Sequence, residues 1–384
     1  MDTPFIYLDY NASTPIDSRV TGAMIPYLTN HYGNPSSIHL QGKRAKEAIE
    51  TARRQLADLL GASPGEIIFT SGGTESNNLA IMGTAMAQKD KGNHIITSDI
   101  EHPAVLEVCK YLEKQGFDIT YLKANQKGIV DPKDLERAIT PRTILITIMH
   151  ANNEIGSVQP IPEIGEIAER YAICLHTDAA QSIGKIRTQV NDLKVDLLSV
   201  AGHKFYAPKG VGALYVKKGT PIVRTTFGAG HEFNLRPGTE NTLLIVGLGK
   251  AAEIAHLELE RDNAHLREMR DYLLQRIKAL KMDGLVNGDL SLCLPNTLNI
   301  SFKDIDANAV IHALRDTVAL SAGSACHSGK VTLSNVVKAT LKDYGYAKGT
   351  FRFSVGRNTT KKDIDSALAH LFKSFGNGDV LYII

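Results

Sequence analysis

Short apolar runs, many rich in β-branched residues, recur along the first 216 residues of the chain. Their apolar positions follow one another instead of alternating with polar ones, which is typical of strands buried on both faces of a sheet. The pattern predicts seven strands, over residues 66–70, 93–98, 117–122, 142–149, 172–177, 195–200 and 211–216.

Segments with helical periodicity separate these runs. In residues 45–60 the apolar positions recur at spacings of three and four, as on the buried face of an amphipathic helix. Gly61 follows directly and is a plausible C-terminal stop for that helix. Strands that alternate with helices predict an α/β fold in which helices cover both faces of a mainly parallel sheet.

A second, smaller unit is predicted after a long helical pattern at residues 249–280, and we place the domain boundary within that helix. Beyond it the predicted strands are 296–302 and 349–354, and the predicted helices are 307–315, 333–342 and 362–375. Strands and helices mixed in this way indicate an α+β domain of roughly 110 residues.

Composition narrows the class of protein. The chain has 384 residues, enough for two domains, with 43% hydrophobic residues and a formal net charge of +2. This balance gives no electrostatic signature of a nucleic-acid or membrane partner. The start of the chain lacks the features of a signal peptide, and no apolar stretch reaches the ~18 residues of a membrane span. The four cysteines show no metal-ligand spacing, so we expect reduced thiols, no metal site and a cytoplasmic location.

A lysine and an aspartate follow two neighbouring predicted strands. Lys204 comes after the run 195–200, and Asp178 lies 26 residues upstream at the end of the run 172–177. Such a pair can hold pyridoxal 5′-phosphate (PLP) at two points. The lysine would form a Schiff base with the aldehyde, and the aspartate would pair with the pyridinium nitrogen. Taken singly, Asp178 is equally well a helix cap and Lys204 a surface charge.

Three further segments stand at predicted strand ends. Residues 71–77 contain Gly72 and Gly73 where a helix begins, which suits a phosphate but also an ordinary helix cap. His102 is suited to proton transfer or to stacking on an aromatic ligand, although a lone loop histidine is more often structural. Asn152 and Asn153 are as typical of a turn as of a ligand site. Open α/β sheets bind ligands at the carboxyl ends of their strands, so the coincidence of all these residues there favours one common site.

Cys326 and Arg352 are candidates in the second unit. Cys326 is flanked by glycines and serines, so we expect a mobile, accessible loop in which His327 promotes thiolate formation. The competing interpretation is an incidental exposed thiol. Arg352 and Arg357 are candidates for gripping a substrate carboxylate, because a guanidinium binds a carboxylate through two hydrogen bonds. A structural ion pair is the alternative, and we favour it for Arg357.

These motifs, in this order, resemble the NifS/IscS-like cysteine desulfurases, which are fold-type I PLP enzymes. The resemblance extends over nearly the whole chain, including residues 7–15, 33–37, 236–241, 321–329 and 352–357. It implies a mainly parallel seven-stranded sheet in a large PLP-binding domain, residues 15–255. Residues 1–14 and 256–384 would form the small α+β domain that carries the cysteine loop.

The resemblance also implies roles for the residues that hold the cofactor. Lys204 would be the Schiff-base lysine, Asp178 the partner of the pyridinium nitrogen, and Gln181 the contact of the ring hydroxyl. His102 would stack on the ring and take part in proton transfer. The remaining cofactor residues would surround the phosphate or lie beside the ring: Gly73, Thr74, His203 and Asn153, with Thr239 reaching the phosphate of the other subunit of a homodimer.

For the substrate, the resemblance implies that Asn153 and Arg352 hold the carboxylate, with Asn34 nearby. Cys326 would take the sulfur of L-cysteine as a persulfide and leave L-alanine. The persulfide would pass to an acceptor protein, such as an iron–sulfur cluster scaffold or a thiolation enzyme.

Two departures from the family pattern are present. Ala201 replaces the usual serine before Gly-His-Lys, which removes one hydroxyl donor to the phosphate, and residues 228–232 differ mildly from the usual glycine-rich segment. The sequence is also similar to selenocysteine lyases, which release selenide and alanine. An aminotransferase with an incidental Cys326, and an inactive scaffold for an acceptor protein, are further alternatives.

Overall fold

A seven-stranded sheet is the centre of the larger part of the computed structural model, which describes residues 5–327, 330–341 and 343–375. The strands in the first 216 residues are β1 (Ile6–Tyr7), β2 (Ile67–Thr70), β3 (His94–Ser98), β4 (Asp118–Leu122), β5 (Thr143–Thr147), β6 (Cys174–Asp178), β7 (Leu197–Ala201) and β8 (Gly212–Val216). The sheet has the strand order β2-β8-β7-β6-β5-β3-β4, and β8 is antiparallel to both of its neighbours while the other pairs are parallel. The predicted α/β class and all seven strands are confirmed.

Helices cover both faces of this sheet. They are α1 (Ser18–Thr29), α2 (Leu40–Leu60), α3 (Gly73–Gln88), α4 (Pro103–Lys114), α5 (Pro132–Ala138), α6 (Ile161–Arg170) and α7 (Val190–Leu193). Neighbouring strand residues pack on opposite faces: Ile95 joins the apolar cluster of α3 and α4, and Ile96 that of α2 and α6. This two-sided burial explains why the apolar positions run on without alternation. Gly61 ends α2 in a left-handed conformation, as the sequence predicts.

The rest of the described chain forms a smaller unit around an antiparallel sheet of order β12-β15-β10-β9. Its helices are α8 (Thr242–Ala279), α9 (Ala307–Leu314), α10 (Asn335–Thr340) and α11 (Lys361–Ser374). Its strands are β9 (Gly284–Val286), β10 (Thr297–Phe302), β11 (Val318–Ala319), β12 (Ser321–Ala322), β13 (Ser324–His327), β14 (Lys330–Leu333) and β15 (Thr350–Ser354). The N-terminal strand β1 pairs with β11, so the start of the chain packs on this unit.

Helix α8 runs through both apolar cores. Its residues as far as Ala255 join the cluster beneath the large sheet, whereas Leu266, Met269, Leu273 and Ile277 join the cluster of β10, β15 and α11. The change of core falls between Ala255 and Leu266, and the predicted division after residue 255 stays a prediction.

Two local features differ from the sequence-based expectation. Helix α8 begins at Thr242 and not near Gly249, because tertiary packing accommodates glycines that normally weaken a helix. The backbone around Cys326 forms β13, paired with β14 opposite Val331, and not a loop. Residues 328 and 329 and the side chains of 324–327 lie outside the described part, so the expected mobility and exposure of Cys326 stay predictions. No helix among the described residues is long and apolar enough to cross a membrane.

Candidate active site

A cavity of about 180 Å³ lies at the carboxyl edge of the large sheet. Segments that follow β2, β3, β5, β6 and β7 supply its walls, as the topology of a parallel sheet requires. Its lining residues are Gly73, Thr74, Asn77, His102, Ala104, Met149, Ala151, Asn153, Asp178, Ala180, Gln181, Ala201, His203 and Lys204. A larger cavity of about 550 Å³ lies between α1, α2 and α8, and none of the predicted site residues lines it.

Lys204 stands in the single turn that follows β7. Its Nζ donates hydrogen bonds to the backbone oxygens of Asn11 at 2.6 Å and Ala12 at 3.0 Å. Burial, and then the positive charge of Arg352, lower the pKa of Lys204 to about 8, against the opposing effect of Asp178. About one tenth of this amine is therefore unprotonated, and nucleophilic, at pH 7, far more than for an ordinary lysine.

Asp178, the last residue of β6, is held through both carboxylate oxygens. Its Oδ2 accepts a hydrogen bond from Asn77 Nδ2 at 2.7 Å, and its Oδ1 accepts one from the backbone N–H of Ala180 at 2.9 Å. Asn77 reaches it from the first turns of α3, and its own Oδ1 is buried without a partner among the described residues. Sequence reasoning assigned no role to Asn77, although this residue lies in the glycine-rich segment that it singled out.

The N-terminus of α3 opens into the cavity. Gly72 precedes the helix with a φ of 152°, and no side chain caps the first turn. A Cβ at Gly73 would stand 3.2 Å from the Cβ of Ala201, so the close approach of α3 to β7 leaves little space for a larger residue there. Free N–H groups at the start of a helix favour an anion such as a phosphate.

His102 is the N-cap residue of α4, and its ring faces the open cavity. Its Nδ1 accepts a hydrogen bond from the backbone N–H of Ala104 at 3.1 Å, so the neutral ring carries its hydrogen on Nε2. Burial is the main factor that lowers its pKa; the charge of Asp178 raises it and that of Lys204 lowers it. A neutral imidazole of fixed tautomer suits both stacking and proton transfer.

His203 and Gln181 also line the cavity. Burial and the charges of Lys204, Lys209 and Lys185 lower the pKa of His203 to about 4, so this ring is neutral at physiological pH. The Nε2 of Gln181 donates to the backbone oxygen of Asn11 at 3.0 Å, the same oxygen that Lys204 contacts.

Arg352 comes from β15 of the smaller unit and meets the large one near this cavity. Its Nη2 donates to Asp9 Oδ1 and to Ser321 Oγ, both at 2.7 Å, and its Nη1 donates to the backbone oxygen of Asn153 at 3.0 Å. Its buried Nε has no partner among the described residues. The guanidinium is thus anchored from both units, and its Nε–H and one hydrogen of Nη1 are not used by the described residues.

The other predicted site residues lie elsewhere in this chain. Asn34 is exposed, and its Oδ1 accepts a hydrogen bond from the backbone N–H of Ser36. Thr239 is also exposed and lines a separate cavity of about 240 Å³. Arg357 forms ion pairs with Asp262 and Asp17 and stacks on Tyr206, so the structural interpretation favoured for it is confirmed.

The cavity residues fit PLP in charge and in chemistry. A partly unprotonated lysine, a doubly anchored carboxylate and the open N-terminus of a helix match an aldehyde, a pyridinium nitrogen and a phosphate. Ala201 offers no hydroxyl there, but the backbone N–H groups of α3 remain. Groups of three or more side chains suited to a metal ion are absent from the described residues.

Comparison with known proteins agrees with this geometry. Residues 6–367 match the family Aminotransferase class-V, and the chain belongs to this family of PLP-dependent enzymes. Within the family its relatives are NifS/IscS-like cysteine desulfurases, which confirms the resemblance seen in the sequence. "Cysteine desulfurase IscS" of Dictyoglomus turgidum is 49% identical over 94% of this chain and 92% of that protein. Human "Cysteine desulfurase" is 46% identical over 94% of this chain and 79% of that protein.

Solved structures give the same result. A NifS-like protein superposes with a TM-score of 0.91 at 36% identity, over 97% of this chain and all of the other. SspA in complex with cysteine has a TM-score of 0.81 at 39% identity, over 92% of this chain and all of the other.

Proposed function

We propose that the chain is a PLP-dependent cysteine desulfurase, which converts L-cysteine to L-alanine and retains the sulfur on Cys326 as a persulfide. The observation that carries this proposal is the meeting of Lys204 and Asp178 in one cavity at the sheet edge, beside an arginine from the unit that bears Cys326. The cysteine desulfurase relatives support the same activity.

The cavity residues divide into those that would hold the aldehyde and ring of PLP and those that would hold its phosphate. Lys204 would bind the aldehyde covalently, Asp178 would pair with the ring nitrogen, and Gln181 would donate to the ring oxygen. His102 would stack on the ring. Gly73, Thr74 and His203 would surround the phosphate. When bound, PLP supplies an electron sink for the pair released at the substrate's α-carbon.

Proton movement falls to Lys204 and His102. Lys204, with its pKa lowered to about 8, would take the α-proton of the substrate through Nζ. His102, whose neutral ring carries its hydrogen on Nε2, would assist this proton transfer from the same cavity. Groups whose pKa lies near the working pH transfer protons most effectively.

Arg352 and Asn153 would hold the substrate carboxylate, with Asn34 contributing from outside this chain's cavity. Asp9 and Ser321 occupy both hydrogens of Arg352 Nη2, and the backbone of Asn153 occupies one hydrogen of Nη1. The second hydrogen of Nη1 and the buried Nε–H have no partner among the described residues and are the donors that a carboxylate could use. Ser321 lies opposite Arg352 in the pairing of β12 with β15. Cys326 follows five residues later, within about 17 Å of extended chain.

The sulfur transfer balances without an external oxidant. The Cys326 thiolate would attack the substrate sulfur, forming an S–S bond while the C–S bond breaks. Carbon keeps the electron pair and takes up a proton, so L-cysteine and one thiol give L-alanine and one persulfide. Splitting the transfer into two covalent steps lowers the barrier of each. An acceptor protein for iron–sulfur cluster assembly or thiolation would then remove the sulfur.

A homodimer forms part of the proposal. Large apolar side chains stand exposed along α1, the segment after it and the start of α2, a surface here called the α1–α2 patch: Ile25, Leu28, Tyr32, Ile38 and Leu40. A second copy of the chain would cover this patch, and its Thr239 would reach the phosphate. The three cysteines with described side chains are free and buried, which supports a reducing, cytoplasmic location.

The test is alanine formation by PLP-loaded protein with a reductant, from L-cysteine and from L-selenocysteine. The variant Cys326→Ala removes the proposed sulfur acceptor. Cys109→Ala is the matched control, because burial raises the pKa of the Cys109 thiol to about 12 and keeps it unreactive.

We expect turnover of L-cysteine by the native protein and by Cys109→Ala, and only background turnover by Cys326→Ala. Turnover confined to L-selenocysteine, retained in Cys326→Ala, would overturn the proposal in favour of a selenocysteine lyase. Alanine formation that strictly requires a keto acid would instead indicate an aminotransferase.

A further inference from the structure

Lys185 is a buried lysine behind the cavity wall that none of the proposed steps uses. It is 5% exposed, and its Nζ donates to the backbone oxygen of Gln181 at 2.9 Å and to Gln181 Oε1 at 3.1 Å. No carboxylate pairs with Lys185 in the part of the chain that the structure describes. Its hydrogen bonds therefore serve a single residue, Gln181.

A cation without a counter-ion is unfavourable in this position. Burial, and then the charges of Lys204 and Arg352, lower the pKa of Lys185 to about 7. A group that is desolvated and repelled in this way does not stabilise the fold through its charge. The contribution of Lys185 must therefore come from the groups that its N–H donors hold in place.

The N–H groups of Lys185 fix the orientation of the side-chain amide of Gln181. Lys185 occupies Oε1 of Gln181, and the backbone oxygen of Asn11 occupies one hydrogen of Nε2. A flipped amide would bring Oε1 against the oxygen of Asn11 and Nε2 against the donors of Lys185. The contact between Oε1 and the oxygen of Asn11 opposes the flip in either protonation state of Lys185, because neither oxygen can donate. The contact between Nε2 and Lys185 opposes it when Nζ is protonated, because an ammonium group cannot accept a hydrogen bond.

The same oxygen of Asn11 also accepts a hydrogen bond from Lys204 at 2.6 Å. One chain of contacts thus joins the buried lysine to the lysine of the cavity, through Gln181 and Asn11. In the described part of the chain no acceptor contacts the second hydrogen on Gln181 Nε2, and Gln181 lines the cavity. The amide can therefore present a donor, and not an acceptor, to a ligand.

We propose that Lys185 is a positioning residue, which fixes Gln181 as a hydrogen-bond donor toward an oxygen of the ligand in the cavity. This inference rests on the proposed placement of PLP there, whose ring oxygen is the acceptor. Lys185 touches neither substrate nor cofactor, and its effect passes entirely through Gln181.

The test replaces Lys185 with methionine, which keeps a long side chain and removes the donors. Two quantities are measured without substrate: the dissociation constant of PLP, and the pH midpoint of the absorbance of the bound cofactor. We expect PLP binding to weaken about ten-fold, the cost of losing one buried hydrogen bond. The absorbance midpoint should move to higher pH, because a lost N–H donor favours the protonated form of its acceptor.

A double-mutant cycle separates this role from a merely structural one. In a Gln181→Ala background, Lys185→Met should cause little further change, since the effect acts through Gln181. The matched control is Asn263→Ala, which removes the 2.8 Å hydrogen bond to the backbone oxygen of Lys185 and leaves Gln181 untouched. We expect this control to leave the absorbance midpoint unchanged.

Equal effects of Lys185→Met in both backgrounds would overturn the inference, and so would an unchanged absorbance midpoint. A midpoint shift of the same size in Asn263→Ala would also overturn it, because loosening of the turn would then explain both results. Native protein that binds PLP but forms no alanine would reject the desulfurase activity and leave this inference standing.

Discussion

At the scale of single residues, the site depends on charges that are brought together without full compensation. Among the described residues, Lys204 donates hydrogen bonds only to backbone oxygens, and Asp9 is the one carboxylate that pairs with Arg352. Lys204 thereby keeps the reactivity of its amine, and Arg352 keeps unused N–H donors. A complete ion pair would remove both properties. Burial of Lys204, and then the nearby charge of Arg352, lower the pKa of its amine.

That pKa gives a prediction for the protein without its cofactor. Only the unprotonated amine attacks the aldehyde of PLP, so the rate of PLP uptake should rise with pH through about 8 and level off above it. An unperturbed lysine would place the rise near 10.4. Stopped-flow absorbance on apoprotein across this pH range measures the midpoint.

Arg352→Gln is the companion variant, because the charge of Arg352 is the second cause that lowers the pKa of Lys204. We expect its midpoint above that of the native protein, while Lys348→Gln, on the same unit, should match the native value. A native midpoint near 10 would show that the amine is not perturbed.

At the scale of elements, a buried ion pair fixes the segment between β8 and α8. Arg53 of α2 contacts Glu232 through two hydrogen bonds of 2.8 Å, and Glu232 also accepts one from the backbone N–H of Phe69. Glu232, Phe233 and Asn234 all have positive φ, a conformation that costs energy in residues other than glycine. The ion pair therefore holds a strained turn a few residues before Thr239.

Glu232→Gln should destabilise the fold by about 3 kcal/mol, because it leaves the buried guanidinium of Arg53 with only the more exposed Glu50 as a carboxylate partner. Urea unfolding measures the loss. The matched control is Glu253→Gln, whose partner Lys250 is partly exposed, and whose cost should stay below about 1 kcal/mol. Equal losses in the two variants would contradict a special role for the buried pair.

At the scale of the whole molecule, the α1–α2 patch leads to a prediction about assembly. Tyr32 is 79% exposed, so Tyr32→Glu should turn a dimer into a monomer by placing a charge in the interface. Sedimentation velocity on PLP-loaded protein measures the state. Tyr111→Glu, at a tyrosine 46% exposed on α4, should remain dimeric. A native monomer at micromolar concentration would reject the dimer.

The large sheet and the position of the site could be predicted because both follow from patterns local in sequence. Apolar runs give the strands, and Asp178 and Lys204 directly follow two of them. The features that the sequence did not predict depend on contacts between residues far apart in sequence. Asn77 meets Asp178 across 101 residues, and the oxygen of Asn11 meets Lys204 across 193. The early start of α8 depends on Gly249, where a Cβ would stand 2.5 Å from Ala52 of α2.

Helix α8 has a mechanical consequence. Its 38 residues extend over roughly 57 Å at 1.5 Å per residue. Both apolar cores pack on this one helix. A bend of one degree at its middle would shift either end by about 0.5 Å, since each half of the helix is about 28 Å long. That displacement equals the tolerance within which catalytic groups must be held, about 0.5 Å. The alignment of Arg352 with the cavity thus depends on the straightness of a helix that contributes no side chain to the chemistry.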